Sequence, residues 1–141
     1  MIESFTRGRF WFTSYRGTCR RIVFAARPMD VEPVEINRSA LIATAKQPFV
    51  DWLHTADPTS KHIGLSQINH EPTVYLVPEF GSKEEFIEWL EQHCEIIFEE
   101  QLGGWWTDEQ SWPPKRGITV FQEWFECRLY SMVLDLDDEP L

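Results

Sequence analysis

The spacing of apolar and polar residues changes along the chain, and each change predicts an element. From Val34 to Ala45 the run VEINRSALIATA is rich in β-branched and small apolar residues, which suits a strand. Pro48 then offers a favoured early helical position, and Phe49, Trp52, Leu53 and Ala56 recur at i, i+3, i+4 and i+7, one short amphipathic helix. Pro58 forces the residue before it out of helical geometry, so that helix ends near Asp57. Residues 58–72 are turn-rich, with room for one helical turn around Leu65 to Ile68. The run TVYLV at 73–77 predicts a buried strand that Pro78 stops.

Ser82 and Glu85 form a capping-box pair, and the helix they open is expected to run to about Leu102, where Gly103 and Gly104 offer stop positions. Its expected core stripe is Phe86, Leu90, His93, Cys94 and Ile97. After a loop at 105–116, Ile118, Phe121, Trp124 and Phe125 again show helical spacing. Tyr130, Met132, Leu134 and Leu136 alternate as a last strand. The expected architecture is α+β: two layers, with a small three-stranded sheet covered by helices on one face, in the order β-α-β-α-α-β.

Charge divides the chain in two. Overall, 13 Lys+Arg face 23 Asp+Glu in 141 residues, a net of −10. Residues 1–30 hold six Arg against Glu3 and Asp30, a net of +4, which leaves seven basic and twenty-one acidic groups, −14, for residues 31–141. The reading is therefore a basic N-terminal extension at 1–30 followed by one acidic globular domain at 31–141. The extension lacks the 7–15 residue apolar stretch of a secretory signal, since its longest candidate, Ile22 to Ala26, is closed by Arg27. Cys19 lacks the small apolar run that precedes a lipid-attachment cysteine. Three readings stay open: an Arg-rich transit peptide, a basic arm, structured or disordered, and a segment preceding a natural start at Met29.

The stretch from Ile36 to Leu141 carries INRSAL, PFVDWLHTADPTS, EPTVYLVPE, EEFIEWL, EIIFEEQLGGW and DLDDEPL. In these segments it resembles a family of short acidic bacterial proteins of unknown function, some of which bear the name VacJ. The resemblance covers about three quarters of the chain and implies no catalytic residues. Taken at its word, the name VacJ implies phospholipid trafficking.

Among candidate functional groups, Glu84, Glu88, Glu91, Glu95 and Glu99 fall at helical spacings of 4, 3, 4 and 4 and share one stripe, with only Lys83 near in sequence to relieve it. Such a stripe is either heavily solvated or presents acid to a basic protein surface. The segment GGWWTDEQSWPPKRG places Trp105, Trp106 and Trp112 in one connection, where tryptophans either contact a partner or fold inward to pin the loop. The Asp57-Pro58-Thr59-Ser60 segment reads as an Asp-initiated turn.

Several chemistries lack their signatures. Cys19, Cys94 and Cys127 are an odd, widely spaced set, which points to a reducing, cytoplasmic compartment rather than a disulfide framework. His93 and Cys94 are adjacent, without the spacing of a metal site, so no metal and no cofactor is expected. There is no G-x-S-x-G turn and no glycine-rich phosphate loop. No apolar run approaches the roughly 20 residues of a membrane span, and the acidic domain is unsuited to nucleic acid.

The sequence therefore predicts a small acidic protein-interaction or accessory module. Its expected contacts are Glu84, Glu88, Glu91 and Glu95 with Trp105, Trp106 and Trp112, its expected partner a basic protein surface, and its oligomeric state open. One rival is a small-molecule or lipid binder with the tryptophan segment as a lid. The other is a small hydrolase-like enzyme using His54 or His62 with an acid.

Overall fold

A computed structural model describes residues 32–137 and 139–141, and the backbone alone of two earlier strands. The chain divides into two compact units, Met1–Val34 with Leu136–Leu141, and Glu35–Asp135. In the first unit β1 (Phe10–Thr13) and β2 (Cys19–Ile22) form an antiparallel hairpin in which Phe10 opposes Ile22 and Thr13 opposes Cys19. The rest of the basic extension, Met29 included, lies outside the described residues.

The second unit is α+β. The two-residue β3 (Val34–Glu35) begins on the last residue of the first unit's N-terminal stretch; the second unit holds β4 (Ser39–Ala45), α1 (Gln47–Ala56), the single-turn α2 (Leu65–Ile68), β5 (Val74–Val77), α3 (Lys83–Trp105), α4 (Ile118–Trp124), β6 (Phe125–Tyr130) and the two-residue β7 (Leu134–Asp135). The three-stranded sheet has the order β5-β4-β6, antiparallel throughout. β4 is central because SALIATA alternates cleanly. Ser39, Leu41, Ala43 and Ala45 are buried, and Ala40, Ile42 and Thr44 point to the other face.

Against the buried face lies a cluster of rings. Phe98 of α3 is fully buried and meets Phe125 edge-to-face with centroids 5.1 Å apart, Trp124 at 5.2 Å and Phe121 at 6.0 Å. Phe49 of α1 closes on the same Phe125 at 5.6 Å. Edge-to-face geometry suits the ring quadrupoles, and such large buried rings dominate the energetics of a core this small. The opposite face of the sheet stays open: Val74, Leu76 and Tyr130 are each about half exposed.

Three elements differ from expectation. β5, expected as a buried strand, has Val74 and Leu76 half exposed and Val77 buried. α3 passes through Gly103 and Gly104 and ends at Trp105. Trp105 packs on the core, and the Trp106 N–H closes the last turn on the Leu102 carbonyl at 2.8 Å. That anchoring outweighs the roughly 1 kcal/mol that each glycine costs a helix. On the same helix His93 is half-buried rather than core. The buried stripe is Leu90, Cys94, Ile97, Phe98 and Leu102.

The last strand of the three-stranded sheet, β6, begins at Phe125, directly after α4, instead of near Tyr130. Phe121 and Phe125 are both buried, which imitates a helical i, i+4 pair, but Phe125 already has extended dihedrals. Of the residues expected to alternate beyond Tyr130, Leu134 lies in the two-residue β7, paired with β3, while Met132 and Leu136 lie outside the strands, and all three are exposed.

Candidate functional site

α3 is 23 residues long, about 35 Å at the usual helical rise. Ser82 caps it, its Oγ accepting the Glu85 N–H at 3.2 Å, while Glu85 Oε2 accepts the Gly81 N–H at 2.8 Å. This reciprocal cap fixes the helix start and with it the direction in which the acidic stripe points.

The stripe is not uniform. Arg116, brought in by the turn before α4, donates from Nη2 to Glu99 Oε1 at 2.9 Å and to Glu95 Oε1 at 3.3 Å, and from Nη1 to the Pro113 carbonyl at 2.8 Å. The two carboxylates at the C-terminal end of the stripe thus share one cation from a distant part of the chain, which halves their net charge. Glu84, Glu88 and Glu91 are exposed and make no ion pair with another described residue.

Beside them runs a row the acidic spacing does not announce. Trp89 and His93 stack with centroids 4.4 Å apart and planes 13° from parallel, and Ile96, one turn on, is 66% exposed. Trp89, His93 and Ile96 stand at i, i+4 and i+7, so they line one edge of the helix surface. His93 Nδ1 lies 2.7 Å from the Trp89 carbonyl, which only accepts, so Nδ1 carries a proton and the ring is fixed in place.

Trp105, Trp106 and Trp112 are each half-buried. Trp112 donates from Nε1 to the Trp106 carbonyl at 2.8 Å, and Trp52 of α1 donates to the Ser111 carbonyl at the same distance. Asp108 caps a 3-10 turn at Glu109–Ser111, accepting the Gln110 N–H at 3.1 Å. The Nε1 of Trp106 and the Nε of Arg116 are buried without a hydrogen-bond partner among the described residues. Trp105 borders a cleft of about 240 Å³ whose polar lining includes Asn69, Glu71, Thr73, Glu100 and Gln101.

Tyr75 stands near this cleft. Its hydroxyl donates to Glu100 and accepts from Gln101 Nε2 at 2.8 Å. Burial first, and the bond to Glu100 second, push its ionisation well above the ordinary tyrosine value. Asn69 is committed to the backbone: its Oδ1 accepts the Ala45 N–H at 2.8 Å and its Nδ2 donates to the Ala45 carbonyl at 3.0 Å.

The two histidines of the enzymatic rival have different surroundings. His54 Nε2 donates to the Ile63 carbonyl at 2.7 Å, and His62 is exposed. Asp57 caps a 3-10 turn, accepting the Thr59 N–H and hydroxyl at 3.0 and 2.6 Å, and buried Ser60 donates to the Asp57 carbonyl at 2.6 Å. Burial raises the Cys94 thiol and lifts that of Cys127 to about 11, so both are protonated near neutrality. Among the described residues, no three His, Cys, Asp or Glu side chains gather as a metal site would require, and no helix is long and apolar enough to cross a membrane.

Compared with protein-family models, curated proteins and solved structures, the chain gives no match.

Proposed function

We propose that the protein is a non-catalytic interaction module that docks a basic, apolar-centred segment of a partner protein along the exposed surface of α3. The observation that carries this reading is the juxtaposition on one helix of Glu84, Glu88 and Glu91, free of ion pairs with the other described residues, and the Trp89-His93-Ile96 row. Apolar anchors at i, i+4 and i+7 are the pattern by which a helix face is read, and adjacent charge sets the partner's sign and speeds encounter. The tryptophan segment takes part indirectly, by holding the C-terminal end of α3 and delivering Arg116. Cys94 and Cys127, free and held as thiols, agree with a reducing compartment, and cytoplasmic placement belongs to the same reading.

The test places a photo-crosslinking amino acid at the exposed Gln92, between the acidic stripe and Ile96. A covalent adduct with one partner protein is expected. It is lost in the Glu88→Lys, Glu91→Lys double variant and in Ile96→Asp, with thermal melting unchanged. Glu84 stays in place because an acid in the first turn supports the helix itself. Adducts of equal yield in all three proteins would overturn the reading.

A further inference from the structure

β6 is an edge strand. β4 holds one side of it, and no second described strand pairs with the other side. Which of its amides face outward follows from parity. The ladder with β4 runs from Ala45 opposite Phe125 to Ala40 opposite Tyr130, and the next pair is bonded, Lys46 N–H to the Trp124 carbonyl at 2.7 Å. In an antiparallel ladder, opposed residues alternate between exchanging both backbone bonds and exchanging none. Trp124, Glu126, Arg128 and Tyr130 therefore aim their backbone groups at β4, and Phe125, Cys127 and Leu129 aim theirs outward. Asn69 corroborates the parity from the other side of β4, since it takes both backbone groups of Ala45, which must then point away from β6.

The side chains of this edge restrict what can join it. Glu126, Arg128 and Tyr130 lie on the open face, while Phe125, Cys127 and Leu129 lie on the face toward the helices. There an open groove of about 340 Å³ is lined by Phe86, Leu90, Phe121, Phe125 and Cys127 among others.

We infer that β6 pairs antiparallel with β6 of a second copy of this chain, about a twofold axis at Cys127, to make one six-stranded sheet. Symmetric pairing that keeps like faces together has three central registers. Centred on Glu126 it sets glutamate against glutamate, and centred on Arg128 it sets arginine against arginine, both destabilising. Centred on Cys127 it sets Glu126 opposite Arg128 of the second copy, twice. Those two side chains sit 3.6 Å apart within one strand and are more than half exposed, so they are positioned to take new partners.

The same register uses the outward backbone groups. Cys127 exchanges both bonds with its counterpart, and each Leu129 N–H reaches a Phe125 carbonyl, about four bonds in all. The Phe125 N–H is already taken by the Phe121 carbonyl of its own helix. Leu129 of the second copy then lies beside Phe125 at the open groove and covers apolar surface there. A C2 interface of this kind is closed by its own symmetry.

Sedimentation of the full chain across the micromolar to millimolar range tests the inference. The parent is expected to reach the mass of a dimer. Glu126→Arg and Arg128→Glu each place like charges across the axis and should raise the dissociation constant roughly tenfold or more. The double variant Glu126→Arg, Arg128→Glu exchanges the two charges and should restore pairing to near the parental value. All are exposed positions, and circular dichroism confirms that each variant is folded. A chain that stays monomeric throughout, or a dimer that the single changes leave intact, would overturn the inference.

Discussion

Asn69 satisfies both backbone groups of Ala45 with one side chain, doing for the last residue of β4 what a neighbouring strand does for the others. Asn69→Ala should cost about 1–3 kcal/mol in denaturant melts, because a largely buried amide and carbonyl lose their partners. Asn69→Asp should cost a comparable amount despite equal size, since a carboxylate cannot donate to the carbonyl. Phe98→Ala, at the centre of the ring cluster, should cost about 3–5 kcal/mol by the same measurement.

Tyr75 and Cys127 predict behaviour in alkali. In the unfolded chain they titrate near their ordinary values, 10.0 and 9.0, whereas in the folded protein burial holds both protonated to higher pH, Cys127 to about 11. Below pH 9 they contribute no pH dependence. From there upward the unfolded state binds fewer protons than the folded one, so stability falls with rising pH. Tyr75→Phe and Cys127→Ala should each flatten that fall, and a stability profile as steep in the variants as in the parent would contradict the assignment.

At the scale of elements, α3 is where most of the design is concentrated. Ser82→Ala should destabilise by about 1 kcal/mol through loss of the cap, visible as a lower denaturation midpoint at unchanged slope. Arg116→Met should leave Glu95 and Glu99 unrelieved beside Glu91, lowering the thermal midpoint more at low salt than at high.

The start of α3, the whole of α1 and the alternation of β4 are readable in the chain because each is carried by neighbours in sequence: Ser82 with Glu85, Pro48 with Phe49, Trp52 and Leu53, and SALIATA by itself. The helix end was hidden because Gly103 and Gly104 are local signals, while the packing of Trp105 is not. The junction of α4 and β6 was hidden because two buried phenylalanines four apart satisfy a helix as well as a helix followed by a strand. In the candidate site the acidic stripe is plain from spacing alone. Its partition by Arg116, 17 and 21 residues away, depends on a turn whose course only the fold decides.

For the molecule as a whole, the acid behind the −14 of residues 31–141 includes, among the described residues, groups that are paired, such as Glu95 and Glu99, groups that cap, such as Asp57 and Asp108, and groups left exposed, such as Glu84, Glu88 and Glu91. The sheet is similarly lopsided. One face is filled by rings and the other is open. At one edge β5 is only four residues long, lies between Pro72 and Pro78, and has Asn69 seated on the ladder beyond it. Short strands and flanking prolines make a poor template for further strands. The other edge, β6, is six residues long, and no second described strand pairs with it. A sheet that can grow at both edges propagates without limit into fibres, whereas one that grows at a single edge exhausts that edge on its first partner. The two prolines that bracket the short β5 therefore limit growth at that edge, and with β6 paired as inferred, concentrated protein should yield pairs rather than filaments.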